Sequence, residues 1–294
     1  MARATLIGFT AVAMWALLAL LTDFSGQVPP FQLSAMTFAI GTLVGLLLRR
    51  VSAPDTPKQR VPPMVWVIGV GGLFGYHFFY FTALRNAPAV EASLIAYLWP
   101  LFIVLGSALM PGERLGWHHV AGALLGLAGT FLIVTNGGGL SFDGRYAFGY
   151  AAALACAFIW TAYSLLSRRF PAVPTTTVTW FCAATAILSA LCHLALEATV
   201  WPASWSQWAA VAGLGLMPVG AAFYVWDYGV KHGNLQVLGA SSYAAPLLST
   251  LILIAAGAAS ATPHIVAACL LITLGAALAA KNMLFSRSRG AARV

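Results

Sequence analysis

The chain is 294 residues long, 61% hydrophobic and only 7% charged, with a mean hydropathy of +0.86 and a formal net charge of +8. Soluble domains carry about 25% charged residues, and one charge at a bilayer centre costs about 2.5–3.5 kcal/mol on insertion scales. The composition therefore excludes a water-soluble domain and predicts an all-α integral membrane protein whose few charges mark the ends of its spans. The basic excess does not point to nucleic acid, because Lys and Arg fall in short clusters between apolar runs, where they act as orientation signals.

About 20 apolar residues are needed to cross a bilayer as a helix. Ten such runs are predicted, near 5–24, 31–49, 63–84, 88–109, 117–135, 146–168, 175–197, 205–229, 235–256 and 262–284. The first follows Met1-Ala2-Arg3 and lacks a small-residue cleavage pattern at Leu21-Thr22-Asp23-Phe24, so it reads as an uncleaved span and not a signal peptide. Turn chemistry separates the runs at Gln27 to Pro30, Pro54 to Pro57, Pro111-Gly112-Glu113, Asn136 to Gly139, Pro171 to Pro174 and Ala261-Thr262-Pro263. The tightest joins, Arg85 to Pro88 and Lys231 to Asn234, make spans 3–4 and 8–9 helical hairpins. Cys156, Cys182, Cys192 and Cys269 all lie in apolar runs without the close spacing of zinc or redox motifs, and read as small buried hydrophobes.

The chain repeats itself. Tyr97 and Pro100 recur 146 positions on as Tyr243 and Pro246, and the same offset carries Arg85 to Lys231, Ala121 to Ala267, Leu125 to Leu271 and Gly129 to Gly275. The repeats divide as residues 1–138, spans 1–5, and 139–294, spans 6–10, within one membrane domain. Five is odd, so the second half enters the membrane inverted relative to the first. With the N-terminus cytoplasmic, the inside loops and tails hold Arg3, Arg49, Arg50, Lys58, Arg60, Arg114, Arg168, Arg169, Lys231, Lys281, Arg287, Arg289 and Arg293. Only Arg85 and Arg145 are left outside, which predicts both termini in the cytoplasm. Apolar segments broken by proline at matching places in inverted halves are the sequence mark of a transporter's binding site.

Trp99-Pro100-Leu101-Phe102, running on to Met110-Pro111-Gly112-Glu113-Arg114-Leu115 and then Ala121 to Gly129, resembles the closing segment of the EamA repeat of the drug/metabolite transporter (DMT) superfamily. The second half keeps Pro246 and the Gly275 region but has no equivalent of the Gly-Glu-Arg turn. Within the superfamily, tyrosines and tryptophans near midspan are most similar to the YddG-type exporters of aromatic amino acids. The resemblance implies a ten-span exporter in a bacterial inner membrane, with a central cavity between two inverted five-helix repeats.

Trp66, Trp117, Trp201, Trp205 and Trp208 sit at span ends and read as interfacial anchors. Trp15, Tyr97, Trp99, Trp160 and Tyr243 lie nearer midspan, where an indole N–H or phenol O–H needs a cavity or a partner. Helix packing with a hydrogen bond to neighbouring backbone is the alternative for each. On span 3, His77 and Tyr80 share a helical face, and an intramembrane ionisable group is a functional hypothesis by default. Tyr97 and Trp99, two apart, point to nearly opposite sides of a regular helix, so both face the cavity only if Pro100 swivels the rod. On span 9 the same reasoning selects Ser242 or Tyr243 together with Pro246. The candidate substrate site is thus Trp15, His77, Tyr80, Tyr97, Trp99, Pro100, Trp160, Ser242, Tyr243 and Pro246.

No span carries a carboxylate at its centre, and Glu91, near the outer end of span 4, reads as solvated. Asp227 is expected to pair with Lys231. The reading is a transporter of small amphipathic metabolites, aromatic and other neutral amino acids first, with the bilayer and a small-molecule substrate as partners and neither metal nor cofactor. Another exporter activity of the superfamily, including multidrug export, is the alternative, although a pump for organic cations is expected to place Asp or Glu at midspan. An intramembrane serine protease built on Gly239-Ala240-Ser241-Ser242 is more remote, since His193 sits near the outer end of span 7 and Ser241 near the inner end of span 9.

Overall fold

The computed structural model describes residues 1–51, 61–140, 142–257 and 260–282. Among them every regular element is helical. Among the described residues nine helices are long and apolar enough to cross a membrane: span 1 (Ala2–Phe24), span 2 (Pro30–Arg50), span 3 (Pro63–Asn86), span 4 (Ala89–Leu109), span 5 (Trp117–Val134), span 6 (Gly144–Ser167), span 7 (Thr175–Leu196), span 8 (Trp205–His232) and span 9 (Leu235–Ala255). A shorter apolar helix, span 10 (Pro263–Ala279), completes the set of ten. Local chemistry starts and stops these rods. Pro30, Pro63 and Pro263 open spans 2, 3 and 10, where a missing N–H costs nothing. Asn234 and Thr262 cap spans 9 and 10 through side-chain oxygens that accept from Val237 N and Ile265 N. Span 5 ends on Asn136 and Gly137, both in left-handed backbone at φ 50° and 74°. The turn at Pro54 to Pro57, with Lys58, Arg60, Arg287, Arg289 and Arg293, lies outside the described residues.

The two five-span halves are inverted copies, and their contacts follow that symmetry. Spans 2 and 7, which are counterparts, pack against each other, as do counterparts 5 and 10. Span 1 packs on span 8, and span 6 in the same way on span 3. Spans 5 and 10 cross so closely that a Cβ on Gly122 would strike the Gly275 carbonyl, and one on Gly129 would meet the Ala268 carbonyl. These two contacts exchange under the 146-residue offset, since 122 + 146 = 268 and 129 + 146 = 275.

Five spans are irregular. Spans 3 and 8 each contain one wide π turn, at Gly71–Gly75 and Met217–Ala221, and these are again 146 residues apart. Span 4 breaks at Tyr97–Leu98 and restarts at Trp99 with Pro100 in its first turn; span 9 breaks at Ser242–Tyr243, and span 1 at Ala16–Leu17. Proline removes a helical donor and crowds the carbonyl four residues back, which places the span 4 break just ahead of Pro100. Span 4 therefore departs from a regular helix between Tyr97 and Trp99, the condition under which both can face one cavity.

Side chains tie the halves together at both ends of the bundle. At one end, Arg168 donates to Glu113 and to the carbonyls of Val230 and Gly233, each at 2.9 Å, at the C-terminus of span 8, while Gln236 donates to the other Glu113 oxygen at 3.0 Å. At the other end the buried Glu197 carboxylate accepts from the N–H groups of Phe31 and Gln32 that open span 2, from Arg85 at 2.7 Å, and contacts His193 Nδ1 at 3.1 Å.

Candidate functional site

Four tryptophans from four spans meet near the middle of the bundle. Trp15 is the last residue before the break in span 1, Trp99 the first after the break in span 4, Trp160 stands on the continuous span 6, and Trp226 lies one turn beyond the π turn of span 8. All six pairs are in ring contact, with centroids between 5.1 Å (Trp15–Trp226) and 6.3 Å (Trp99–Trp160). Those are the distances of edge-to-face, tilted and offset-stacked aromatic packing. No further ring fits between them. Three of the four are essentially buried, at 5%, 3% and 0% exposure for Trp99, Trp160 and Trp226, and Trp15 is partly exposed.

The irregular backbone feeds this tetrad. Trp15 Nε1 donates to the Pro218 carbonyl inside the π turn of span 8, at 3.1 Å. A wide turn leaves such carbonyls without their usual partner, and an indole from the other half supplies one. Trp226 Nε1 donates to Ser164 Oγ at 3.1 Å, and the Thr161 hydroxyl reaches the Trp99 carbonyl at 3.3 Å.

His77, Tyr76 and Tyr80 stand on span 3 just outside the π turn, on the side of the tetrad toward Arg85. His77 Nδ1 donates to the Leu73 carbonyl, itself within that turn, at 2.8 Å, which leaves Nε2 as the acceptor of the neutral ring. Its ring packs edge-on against Phe38 at 5.0 Å and Phe223 at 6.2 Å. Tyr76 stacks on Tyr80 at 6.0 Å and touches Trp160 at 5.5 Å. Tyr80 and Tyr97 keep part of their surface open. The surface offered is aromatic, hydroxyl-tipped and uncharged. Such a wall stacks on an aromatic side chain and attracts an ammonium to its ring faces.

Of the ten residues read from the sequence, the structure gathers Trp15, Trp99 and Trp160 in the tetrad, with Tyr80 and His77 one ring further out and Pro100 buried in the turn that Trp99 opens. Span 9 goes elsewhere. Tyr243 is fully buried in a separate cluster with Val104, Ala123, Leu247 and Ile272, and a Cβ on Gly126 would collide with its ring. Its phenol oxygen accepts from Leu101 N at 3.2 Å, one turn beyond its repeat twin Tyr97. Ser242 is fully buried and spends its hydroxyl on the Leu238 carbonyl at 2.7 Å, and Pro246 is buried as well.

Trp226, Phe223 and Phe38 were not singled out in the sequence. The repeat held the signal for two of them: subtracting 146 takes Phe223 to His77 and Trp226 to Tyr80. Ending span 8 near 229 also set Trp226 close to an interface, whereas the helix runs to His232.

The other chemical candidates separate. Ser241 bonds the Leu238 carbonyl and His193 bonds Glu197 and Thr199, so no serine–histidine pair forms. His118 and His119 lie 4.0 Å apart at the start of span 5, but no group of three metal-ligating side chains exists among the described residues. The four cysteines are free. Asp227 pairs with Lys231 at 2.8 Å, as the spacing predicts. Glu91 differs from its solvated reading: its Oε2 is buried without a hydrogen-bond partner among the described residues.

Comparison with known proteins accords with this architecture. Residues 2–135 and 147–281 each match the EamA-like transporter family. A relative from Ancylobacter novellus, the aromatic amino acid exporter YddG, is 56% identical over 277 residues, covering 94% of this chain and 96% of its own. The exporter of the same name from Escherichia coli is 27% identical across 85% of this chain and 87% of its own, and the pseudopaline exporter CntI of Pseudomonas aeruginosa is 30% identical across 76% and 77%. A crystal structure 55% identical in sequence superposes with a TM-score of 0.91, covering 95% of this chain and 96% of the other.

Proposed function

The chain belongs to the EamA-like transporter family, and we propose that it exports aromatic and other neutral amino acids across a bacterial inner membrane, not as an enzyme but by alternating access between its inverted halves. The repeats divide at 138/139, and both termini face the cytoplasm, on the lysine and arginine asymmetry.

One observation carries the substrate reading: four tryptophans, brought from two spans of each half, close the middle of the bundle, with Tyr76, Tyr80, Tyr97 and His77 opening beside them. Each half contributes aromatic wall, so relative movement of the halves parts the rings and exposes stacking faces to either side. Each ring a substrate replaces is worth about 0.5–1.5 kcal/mol beyond buried area. Trp15, Trp99 and Trp160 are the stacking wall, Tyr80, Tyr97 and His77 the hydroxyl- and imidazole-bearing rim, and Pro100 the break that lets span 4 present both aromatics. Ser242, Tyr243 and Pro246 act on the substrate only indirectly, by holding span 9 against spans 4 and 5. With no carboxylate at a span centre, the substrate's own gradient sets direction.

The test is flux. Purified protein in liposomes, challenged with aromatic and aliphatic amino acids, quaternary amine drugs and sugars, is expected to carry the aromatic amino acids fastest. Faster carriage of cationic drugs than of any amino acid would replace this reading with multidrug export.

A further inference from the structure

Between the tetrad and the end of the bundle that holds Arg168, a second polar locality lies apart from the aromatic site. Asp227 and Lys231, one turn apart on span 8, pair at 2.8 Å with side chains only 2% and 5% exposed. Asp227 Oδ2 also accepts from the Thr175 hydroxyl at 2.7 Å, and Lys231 Nζ donates to the Val173 carbonyl at 3.0 Å. The pair borders a small cleft of about 10 Å³, about the space of one water, whose lining includes Val65 and Gly69 of span 3, Ser167 of span 6 and Phe181 of span 7. Walls from both halves thus meet over a buried ion pair.

Polar side chains continue along span 6 toward the tetrad. One turn from Ser167 along span 6, the Tyr163 hydroxyl is buried without a hydrogen-bond partner among the described residues, and the residue is 1% exposed. The backbone of Gly72 receives its ring, which lies 5.1 Å from Trp160 of the tetrad. Next comes Ser164, which holds Trp226. A buried hydroxyl with nothing to bond is costly unless something arrives to use it.

We propose that Asp227, Lys231 and Tyr163 form a second amino acid site, the loading port on the cytoplasmic side, where the ion pair opens by exchanging partners with a zwitterion; this rests on the exporter reading above. Breaking a buried pair is unfavourable because it leaves a charge uncompensated. A zwitterion avoids that penalty: its carboxylate takes Lys231 and the Tyr163 hydroxyl while its ammonium takes Asp227. An amine without a carboxylate leaves Lys231 unpaired, and an acid without an amine leaves Asp227 unpaired. The port therefore selects for amino acids by charge pattern, before the tetrad selects for an aromatic side chain.

Proteoliposomes containing the full chain separate this from a merely bracing pair. Phenylalanine and phenethylamine differ only in the carboxylate. Replacing the pair with neutral groups in Asp227→Asn/Lys231→Leu is expected to lower the ratio of phenylalanine to phenethylamine flux at least fivefold, with thermal unfolding near that of the wild type. Tyr163→Phe, whose hydroxyl has no bond to lose among the described residues, is expected to raise the half-saturation for phenylalanine two- to fivefold and to leave that for phenethylamine unchanged. A double variant that slows both compounds equally makes the pair a brace and overturns the proposal. If the double variant fails to fold, Tyr163→Phe with wild-type kinetics for both compounds overturns it instead. A wild type that carries no amino acid is a different failure, that of the exporter reading itself.

Discussion

Spans 4 and 9 carry the same device, a tyrosine followed three residues later by a proline, and both break there, yet the two breaks serve different neighbours. After the span 4 break, Trp99 enters the tetrad and the Leu101 N–H is taken by a phenol from the other half. After the span 9 break the tyrosine itself becomes that phenol, wedged between spans 4, 5 and 10 over Gly126. One twin opens aromatic surface toward the middle; the other is spent holding its partner open. In spans 4 and 9 duplication sets where the helix breaks, and the surrounding spans decide what the break is used for.

The largest expected effect tests the structural twin. Tyr243→Ala deletes a fully buried ring and leaves the Leu101 N–H without an acceptor, and core aromatic-to-alanine changes cost about 3–5 kcal/mol. Thermal unfolding in detergent is expected to show a large loss of stability together with low abundance. Unfolding at the wild-type temperature would erase the contrast between the two breaks.

Trp15→Ala addresses the other side of the comparison. Trp15 is the partly exposed member of the tetrad, so its loss is expected to fall on substrate first. Removing one stacking wall should raise the half-saturation for an aromatic amino acid about two- to twelvefold, the equivalent of about 0.5–1.5 kcal/mol. Kinetics in protein of normal abundance check this, and unchanged half-saturation would move the substrate away from the tetrad. Tyr243→Phe is the milder counterpart. It keeps the ring and removes only the acceptor, so it is expected to cost about 1–3 kcal/mol of stability while leaving half-saturation alone.

The same contrast shows which parts of the molecule were legible in the sequence. The ten spans, the inverted duplication and the broken span 4 follow from hydropathy, offset identity and the chemistry of proline, all of which are local. Trp15, Trp99 and Trp160 could be selected because a polar-tipped ring stranded at midspan needs a partner wherever it points. Ser242 and Tyr243 met the same criterion and satisfied it differently, within their own helix and against span 4, and no local pattern distinguishes a ring that finds a backbone N–H from one that finds three other rings. Trp226 was hidden by a span end placed three residues short, although its twin Tyr80 was in plain view.

The smallest expected effect concerns His77, a histidine one ring outside the tetrad and the imidazole on which a proton would act if export were driven through this site. An imidazole ordinarily titrates near neutrality. Here its Nδ1–H already serves the π turn through Leu73, and the rings it touches are Phe38, Tyr76, Phe81 and Phe223, none of which brings a carboxylate to offset a charge on the imidazole. Its repeat twin on span 8 is Phe223, an apolar ring in the equivalent place, so the second half fills this position with no titratable group at all. Besides its place on the rim, its role is to hold the Leu73 carbonyl, and a glutamine amide keeps both a polar tip there and an N–H for that carbonyl. His77→Gln is therefore expected to change amino acid flux at pH 7 by no more than about twofold, under 0.5 kcal/mol in barrier height. A proton gradient imposed alone is expected to produce no accumulation against the substrate gradient, in wild type or variant. Uphill accumulation that His77→Gln abolishes would make His77 a coupling residue and would set span 3 apart from span 8 in function.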